Sequence, residues 1–600
     1  MEDIVNGIKV NYERDNLFDE LGIKRLKESY MREDEKSPQE RFAYVSKSFG
    51  TNQNHAQRLY EYSSKHWLSY STPILSFGRS KRGLPISCFL PFLHDSAEGL
   101  VDTLAEVNWL SMLGGGVGIG IGIRSTDDKS VGVMPHLRTY DASSLAYRQG
   151  STRRGSYAAY LDISHPDILL FLEMRKPTGD QNMRCLNLHH GINITDDFME
   201  IIERCMLDKD TDDTWYLKDP HSGEVRDSVS AKELWQRILD MRMQTGEPYI
   251  HFIDTSNRMM PEFQKKLGLK IRQSNLCSEI ILPTDKDRTA VCCLSSLNLE
   301  YYDEWKKDPH FLHDVAEMLD NVLSYFIDNA PDAIGRAKYS AMRERSIGVG
   351  ALGFHAYLQK NNIPFESAMA VGKNQQMFKH IKEGLENANK YLGYQRGEAP
   401  DAVGTGRRFS HVMAIAPNAS SSIIMGNTSP SVEPYRANAY RQDTLSGSFL
   451  NKNKYLEEVI KKHVNDPSNK DEYDEIWSSI IANDGSVQHL EWMDDWTKDV
   501  FKTSMEIDQR WVIQHAADRQ QYIDQAQSIN LFFRPDVNVK YLHAVHFMAW
   551  QKNLKTLYYC RSEKLAKADK VSKRIEREVI KEIDLKELAQ GNYEGCLACE

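Results

Sequence analysis

The sequence lacks the features that mark membrane, secreted and nucleic-acid-binding proteins. No apolar run approaches about eighteen residues, and residues 1–7 have neither a basic segment nor an apolar core, so the sequence predicts no membrane span and no signal peptide. Acidic residues outnumber basic ones by 85 to 75, which argues against a protein that wraps nucleic acid. These absences favour a cytoplasmic protein that has neither a membrane nor a nucleic acid as its partner.

Cysteine is also scarce, with nine in 600 residues. So small and odd a number does not build a disulfide framework, and we expect free thiols, some of them with a chemical role. The hydrophobic and charged fractions, 41% and 27%, are ordinary for a globular protein. Because 600 residues exceed one ordinary core, the length predicts two or more domains, or one large α/β barrel with additions.

The stretch at residues 273–280 places a thiol between an amide and a carboxylate. Asn275, Cys277 and Glu279 alternate along it, and in an extended or loop segment alternate residues project to the same side. We therefore expect these three side chains to reach one small molecule together. A second thiol, Cys292, follows in an apolar run.

Upstream, the pattern predicts a helical scaffold followed by strands. Residues 16–70 carry apolar side chains at helical spacing, which predicts a helical region packed on the main domain. Thr72 and the segment 82–90 are typical of turns that lead into strands. Cys88 begins an apolar run there and is typical of a buried core cysteine. Asp95 lies at the start of a predicted helix, where an acidic residue is usually a cap.

Residues 114–124 alternate glycine with valine and isoleucine. The alternation predicts a strand with one face bare of side chains, which lets a ligand or another backbone approach closely. The spacing does not match the dinucleotide-binding G-x-G-x-x-G pattern.

Two loops have the composition of anion-binding segments. Residues 148–154 are basic and glycine-punctuated, which suits an anion or a flexible switch as well as a merely solvated loop. Residues 411–423 predict a strand, a polar loop and a helix start, and hydroxyls with free N–H groups at such a position suit a phosphate. A cluster of helix caps is the alternative interpretation. No Walker loop occurs in the sequence.

The C-terminal region combines a tyrosine pair with a terminal dithiol. Tyr558 and Tyr559 follow a predicted apolar strand, where tyrosines usually belong to the core and its rim. Residues 561–587 are highly charged, and Cys596 and Cys599 form a C-x-x-C close to the last residue. Zinc would need a second ligand pair, and none is apparent at ligand spacing. Dithiol exchange is the better interpretation, with Cys88 and Cys292 as the candidate partner dithiol.

Taken jointly, these motifs resemble the large, catalytic subunit of class I ribonucleotide reductases, from about residue 72 to the last. The motifs that carry the resemblance are Ser-Cys at 87–88, Asn-Leu-Cys-x-Glu at 275–279, Cys-x-Leu-Ser-x-x-Asn-Leu at 292–299, Leu-Lys-Thr-Leu-Tyr-Tyr at 554–559 and the terminal cysteine pair. The resemblance implies a mixed α/β fold, a ten-stranded α/β barrel with a central finger loop. It also implies a helical region at 1–70, a catalytic domain at 71–560 and a flexible charged tether at 561–600.

The resemblance further implies the chemistry, the reduction of ribonucleoside diphosphates to 2′-deoxyribonucleoside diphosphates. Cys277 would become a thiyl radical that takes hydrogen from the ribose 3′ carbon. Glu279 would act as general base and Asn275 would orient the sugar. Cys88 and Cys292, rather than Cys293, would reduce the 2′ position and form a disulfide. Cys596 and Cys599 would reduce that disulfide and be reset by thioredoxin or glutaredoxin.

Binding partners are implied in the same way. Tyr558 and Tyr559 resemble a radical-relay pair, and the radical would come from a separate metal-containing small subunit. Asp95 and Arg124 would contact an allosteric deoxynucleoside triphosphate or ATP between two copies of a homodimer, and residues 148–154 would relay the effector's identity. The residues implied in substrate binding are Thr72, Ser87, Gly116, Pro417, Asn418, Ala419, Ser420 and Ser421.

Two departures from the family pattern and two rival interpretations remain. Little of the sequence precedes Thr72, so we expect no ATP cone and no inhibition by dATP through one. The loop at 417–421 has the sequence Pro-Asn-Ala-Ser-Ser, where some family members carry other polar residues. Only the family roles of its backbone and its serines are therefore expected in this chain. A cobalamin-dependent reductase shares the barrel and the cysteines, but the tyrosine pair argues against it. An inactive nucleotide-binding or zinc-binding paralogue would not need every catalytic residue that is present.

Overall fold

The computed structural model describes residues 3–80, 83–147, 155–208, 210–444, 447–464 and 470–562. Helices and strands alternate through most of this range, and the mixed α/β prediction is confirmed. The strands are β1 (Asp3–Val5), β2 (Ile8–Val10), β3 (Leu68–Tyr70), β4 (Cys88–Leu90), β5 (Phe92–His94), β6 (Gly116–Gly122), β7 (Tyr157–Asp162), β8 (His189–Ile194), β9 (Thr214–Lys218), β10 (Val225–Ser230), β11 (Tyr249–Phe252), β12 (Ala290–Asn298), β13 (Ile347–Leu352), β14 (Ala439–Thr444), β15 (Gly447–Lys452), β16 (Leu531–Phe533), β17 (Thr556–Leu557) and β18 (Cys560–Ser562).

The helices cover the outside of the sheet and form the N-terminal region. They are α1 (Glu20–Ser29), α2 (Pro38–Phe49), α3 (Gln53–Ser64), α4 (Thr72–Leu75), α5 (Ala97–Met112), α6 (Val133–Ala146), α7 (Ile168–Glu173), α8 (Asp196–Leu207), α9 (Ala231–Thr245), α10 (Ile253–Arg258), α11 (Glu262–Lys266), α12 (Tyr302–Trp305), α13 (Phe311–Asn329), α14 (Gly335–Glu344), α15 (Phe354–Lys360), α16 (Ala368–Arg396), α17 (Ala419–Ile424), α18 (Lys454–Val464), α19 (Lys470–Ala482), α20 (Asp495–Val500), α21 (Gln509–Gln520) and α22 (Val539–Gln551). None of these helices is both long and apolar enough to span a membrane.

Ten strands of the described chain form one sheet. Its order is β13-β12-β4-β6-β7-β8-β11-β17, with β3 paired to β12 and β5 paired to β6. The strands β4, β6, β7, β8 and β11 run parallel to their neighbours in that series, and β12 runs parallel to β13. The two parallel groups meet where β12 pairs antiparallel with β4. The predicted ten-stranded arrangement is therefore confirmed.

Irregular segments continue the ring beyond β13. Val349 bridges Met413, and Ile415 bridges Gln527, both in parallel. The Tyr558 amide then donates to the Ile529 carbonyl at 2.8 Å. These bonds connect β13 back to the chain beside β17, and they enclose an interior. The sequence predicts a regular strand before residue 417, but the structure has only isolated β-bridges there.

The glycine-alternating segment forms β6, as predicted. Six of its seven residues, all except Gly122, are buried, and its glycines leave room for another backbone. A Cβ added at Gly118 would lie 2.6 Å from the Asn275 Cα, closer than two carbon atoms can approach without a shift. The bare face of this strand is therefore the wall against which the loop at 273–280 packs.

The N-terminal helices agree with the prediction, and two local features do not. Before the helices, Asn6 and Gly7 adopt left-handed φ angles of 52° and 80° and join β1 to β2 in a hairpin that the sequence reasoning missed. Asn-Gly is a strong hairpin signal. Thr72 begins the short helix α4 and not a turn into a strand, because Pro73 fits the first turn of a helix, where its missing N–H costs nothing.

A small apolar cluster at residues 439–501 was not predicted. It contains Leu456, Ile460, Trp477 and Ile480, and it packs separately from the main core. The main core lies between the outer face of the sheet and the surrounding helices. A third cluster lines the inside of the ring, and it holds the residues of the candidate site.

Candidate functional site

The loop at residues 273–280 lies inside the ring with almost no exposed surface. Cys277 is fully buried, as are Asn275 and Glu279. The loop turns sharply: the Ser278 amide donates to the Asn275 carbonyl at 3.3 Å, and Ser278 has a φ of 68°. A turn, not an extended segment, thus brings Asn275 and Glu279 to the same neighbour.

That neighbour is the thiol of Cys88. The Asn275 amide donates to the Cys88 sulfur at 3.5 Å, and the Cys88 thiol lies 3.9 Å from the nearer Glu279 oxygen. The other Glu279 oxygen accepts the Ser528 hydroxyl at 3.2 Å. Ser87 also lies against Cys88, with 3.5 Å between its hydroxyl oxygen and the Cys88 sulfur. An amide, a carboxylate and a thiol therefore converge at one point of the interior.

Cys88 and Cys292 are register partners on antiparallel strands. They pair directly across β4 and β12, and such partners have Cα atoms about 4.5 to 5.5 Å apart. That separation falls within the range of disulfides, about 4.4 to 6.8 Å. The two thiols are therefore placed to form a disulfide without a large backbone movement.

Adjacent cysteines on β12 face different environments. Cys292 belongs to the interior cluster with Cys88 and Cys277, whereas Cys293 belongs to the main core outside the sheet. The Gln525 amide donates to the Cys292 sulfur at 3.3 Å. Burial raises the pKa of Cys292 well above its usual value, and the nearby Cys88 adds to this. Cys292 is therefore held as a protonated thiol that faces the interior.

The tyrosine pair connects Cys277 to the edge of the ring. The Tyr558 hydroxyl donates to the Cys277 sulfur at 3.6 Å, and the Tyr558 and Tyr559 rings lie 4.3 Å apart. Tyr249 contacts both rings, at 4.8 Å and 5.1 Å. The Arg561 guanidinium lies 4.0 Å over the Tyr559 ring. A continuous line of phenols thus runs from the buried thiol towards the surface residue Arg561.

A buried polar group lies beside Tyr559. The Tyr559 hydroxyl is 3.4 Å from the Nδ1 of His189, and that nitrogen is 2.6 Å from the Glu247 carboxylate. Burial opposes ionisation of Glu247, but the charges of Arg175 and His189 outweigh it and hold the pKa of Glu247 well below its usual value. Burial, with the Glu247 charge, raises the pKa of Tyr559. Tyr559 is therefore a neutral phenol at neutral pH.

The predicted phosphate loop lies at the start of α17. Asn418 has a left-handed φ of 56°, and its amide donates to the Ala416 and Ala351 carbonyls at 3.0 Å and 3.2 Å. The Ser296 hydroxyl donates to the Asn418 side chain at 3.1 Å, which ties the loop to β12. Ser420 and Ser421 are buried in the first turn of the helix.

The remaining predicted substrate residues are Ser87, Gly116 and Thr72. Gly116 begins β6 opposite Cys88, and its amide donates to the Ser87 carbonyl at 2.8 Å. Thr72 is buried at the start of α4, where its hydroxyl is 3.3 Å from the Tyr30 hydroxyl. Cys88 thus has both Ser87 and Gly116 beside it.

The predicted effector residues contact each other outside the ring. The Arg124 amide and guanidinium lie 3.3 Å and 3.5 Å from one oxygen of Asp95. His221 also lies 3.4 Å from that oxygen. Asp95 precedes α5 but does not cap it, because Ser96 is the N-cap. The loop at 148–154, Cys596 and Cys599 lie outside the described residues.

Several side chains at the site were missed by the sequence reasoning. Tyr160 donates to the Asn275 carbonyl at 2.7 Å and so holds the loop. Gln525 contacts the Cys292 thiol, Ser528 the Glu279 carboxylate and Tyr249 both tyrosines of the pair, as described above. The polar residues Gln525, Gln527 and Ser528, just before an apolar strand, were a usable signal for two of them. Nothing local indicated Tyr160 or Tyr249, because their partners are distant in the chain.

One group of three side chains in the described residues has the spacing of metal ligands, namely His55, Asp314 and Glu317. The Asp314 carboxylate already accepts both the Arg58 guanidinium and the Tyr62 hydroxyl, at 2.6 to 2.8 Å. A cation would have to displace the guanidinium, so the group is better explained as an ion pair that joins α3 to α13.

A barrel that encloses three thiols, a carboxylate and a line of phenols defines a thiol-based oxidoreductase that works away from water. Comparison with known families shows to which family of such oxidoreductases the chain belongs. The ribonucleotide reductase barrel domain matches residues 86–401 and 397–560, and the ribonucleotide reductase all-alpha domain matches residues 16–83. The chain belongs to the ribonucleotide reductase family, whose members are oxidoreductases of deoxyribonucleotide synthesis.

Individual relatives support the same family assignment. The ribonucleoside-diphosphate reductase large subunit of Invertebrate iridescent virus 3 is 54% identical over 94% of this chain and 97% of its own length. The large subunit of Invertebrate iridescent virus 6 is 39% identical over 95% of this chain and 94% of its own length. The solved class Id ribonucleotide reductase alpha subunit of Actinobacillus ureae superposes with a TM-score of 0.80 at 34% identity, over 93% of this chain and 98% of that one.

Proposed function

We propose that this chain is the catalytic large subunit of a class I ribonucleoside-diphosphate reductase. It reduces ribonucleoside diphosphates to 2′-deoxyribonucleoside diphosphates. The observation that carries the assignment is the convergence of Cys88, Cys292, Asn275 and Glu279 beside a buried Cys277 whose sulfur accepts a tyrosine hydroxyl.

Cys277 starts the reaction. Tyr558, oxidised to its radical, takes the hydrogen atom of the Cys277 thiol across 3.6 Å, and the Cys277 thiyl then takes the hydrogen atom from the ribose 3′ carbon. Glu279 removes the proton of the 3′ hydroxyl, since a general base must lie within hydrogen-bond reach of its proton. The Asn275 amide orients the sugar. At the end Cys277 returns its hydrogen to the 3′ carbon.

Cys88 and Cys292 supply the two reducing electrons. The 2′ hydroxyl leaves as water, the 2′ carbon gains a hydrogen, and the two sulfurs join as a disulfide. The raised pKa of Cys292 supports this role, because a protonated thiol holds the hydrogen that the sugar needs. Cys596 and Cys599 then reduce the disulfide by thiol exchange, and thioredoxin or glutaredoxin resets them.

The substrate and partner residues follow the same proposal. The diphosphate lies on the loop from Pro417 to Ser421, and the nucleoside lies near Thr72, Ser87 and Gly116. A metal-containing small subunit supplies the radical through Tyr559. Asp95 and Arg124 contact a deoxynucleoside triphosphate or ATP effector in a cytoplasmic homodimer, with loop 148–154 as the relay. The chain divides into a helical region at 1–70, a catalytic domain at 71–560 and a tether at 561–600.

The test is reduction of CDP by the full chain with a class I small subunit supplied. Cys277→Ser should reduce turnover to background, because the serine O–H bond is too strong for the Tyr558 radical to take its hydrogen atom. Cys293→Ala is the matched control, since that neighbouring thiol lies in the outer core, and it should retain turnover. Equal activity of Cys277→Ser and the wild type would refute the mechanism. Activity with adenosylcobalamin in place of the small subunit would favour a cobalamin-dependent reductase.

A further inference from the structure

Helix α1 packs directly on the predicted phosphate loop. A Cβ added at Gly22 would lie 3.1 Å from the Ile423 carbonyl oxygen of α17, so the absence of a side chain lets the two helices approach. One turn along α1, the Arg25 guanidinium donates to the Ser420 hydroxyl at 3.1 Å. Arg25 therefore reaches the loop at 417–421 from a different part of the chain.

Arg25 has no negative partner in the described part of the chain. Its hydrogen bond to Ser420 is with a neutral hydroxyl, and its Nε is buried without an acceptor. Other arginines of the same helical region differ: Arg14, Arg32, Arg41 and Arg58 each lie within 4 Å of a carboxylate. The guanidinium therefore keeps its positive charge and at least one N–H group available for an anion at this loop.

We propose that Arg25 binds the diphosphate of the ribonucleoside diphosphate substrate, an inference that rests on the proposed function. The planar guanidinium presents several N–H donors to phosphate oxygens, which suits a bidentate contact. Ser420 accepts from Arg25 and keeps its own hydroxyl hydrogen for a phosphate oxygen. Arg25 thus supplies positive charge where the loop itself, Pro-Asn-Ala-Ser-Ser, has none.

A second contact of α1 supports this arrangement. Tyr30, the C-cap of α1, is buried, and its hydroxyl lies 3.3 Å from that of Thr72. Helix α1 and its cap therefore contact the proposed substrate residues at two places. The helical region, for which the sequence predicts only a scaffold, contributes a wall of the substrate site.

The proposal is tested with three variants of the full chain, assayed with the small subunit and a saturating effector. They are Arg25→Gln, Arg25→Lys and the matched control Lys27→Gln. Lys27 lies on the same helix but is exposed. A hydrogen bond to a charged group is worth roughly 10- to 100-fold in binding, so Arg25→Gln should raise the KM for CDP by about that factor. The kcat should change by less than about 2-fold. Arg25→Lys should be intermediate, and Lys27→Gln should match the wild type.

Inorganic pyrophosphate separates a phosphate contact from a structural one. If Arg25 binds the diphosphate, the inhibition constant of pyrophosphate rises in Arg25→Gln by about the same factor as the KM. Binding of dTTP, measured by calorimetry, stays unchanged. A raised KM with unchanged pyrophosphate inhibition would show that Arg25 only braces α1 against α17, and would overturn the proposal. An unchanged KM would overturn it as well.

Failure of the proposed function has a different signature. In that case the wild-type chain shows no CDP turnover with any small subunit. Calorimetric binding of CDP and pyrophosphate to wild type and Arg25→Gln still tests the contact. Equal affinities would then reject the role of Arg25 independently of catalysis.

Discussion

Tyr559 lies between a buried thiol site and the protein surface. Its ring contacts Tyr558 at 4.3 Å, and its hydroxyl faces the His189–Glu247 pair. Because burial and the Glu247 charge raise its pKa, the phenol keeps its proton at neutral pH. In the proposed radical path Tyr559 loses an electron and a proton together, so the path depends on its hydroxyl, whereas the ring provides packing.

Tyr559→Phe separates these two contributions. Phenylalanine keeps the ring but has no O–H to oxidise, so we expect turnover of CDP to fall about 100-fold or more. CDP affinity, measured by calorimetry, should be unchanged because the proposed substrate residues are elsewhere. Tyr140→Phe is the matched control, because Tyr140 is a buried phenol in α6 whose hydroxyl has no hydrogen-bond partner in the described structure. Full turnover by Tyr559→Phe would exclude this tyrosine from the radical path.

Among the elements, β6 and the loop at 273–280 depend on each other. The bare face of β6 accepts the loop backbone, and Gln273 donates to the Pro91 carbonyl at 2.9 Å to hold the loop at its start. Tyr160 on β7 holds it at Asn275. The position of Cys277 is thus set by neighbouring strands and not by the loop alone.

Gly118→Ala tests this dependence. The added methyl group would overlap the loop at Asn275, and overpacking of this kind costs about 1–3 kcal/mol. We expect a displaced loop, a large loss of turnover and a retained fold by circular dichroism. The control is Gly372→Ala in α16, where a Cβ meets nothing within 4 Å and alanine favours the helix by up to about 1 kcal/mol. Unchanged turnover in Gly118→Ala would mean that the loop tolerates a shift.

For the molecule as a whole, a buried charge cluster links the barrel to its outer helices. Arg288, which precedes β12, and Arg343 of α14 both donate to Asp401, at 2.6 Å and 2.7 Å. Beside them Glu344 accepts the Gln264 amide at 2.6 Å. Burial, with a further contribution from the Asp401 charge, raises the pKa of Glu344 to about 8. Glu344 is therefore protonated in the folded state at neutral pH.

This raised pKa gives stability a pH dependence. An unfolded glutamate titrates near 4.5 and the folded one near 8, so between these values the folded state binds more protons. The free energy of unfolding should therefore fall as pH rises from about 4.5 to 8, by at most about 1.4 kcal/mol per pH unit from this group. Glu344→Gln cannot ionise and should lose that part of the slope. Urea midpoints of both proteins at pH 5, 6, 7 and 8 measure the difference, and parallel curves would contradict the assignment.

The sequence by itself determined the chemistry-bearing residues and much of the local structure. The helix that begins after Asp95 and the strand β6 were both predicted from local periodicity and capping, because interactions between residues close in the chain determine them. The motifs at 87–88, 275–279, 292–299 and 554–559 identified the family, and their side chains do converge in the interior.

Only the tertiary structure decided which faces and partners these residues have. Alternation along β12 sends Cys292 and Cys293 to opposite faces, but the register with β4 determines which face is the interior. Ser528, Tyr160 and Arg25 contact the site across more than a hundred residues of chain. Such contacts depend on how the strands close around the loop, and no local pattern encodes that closure.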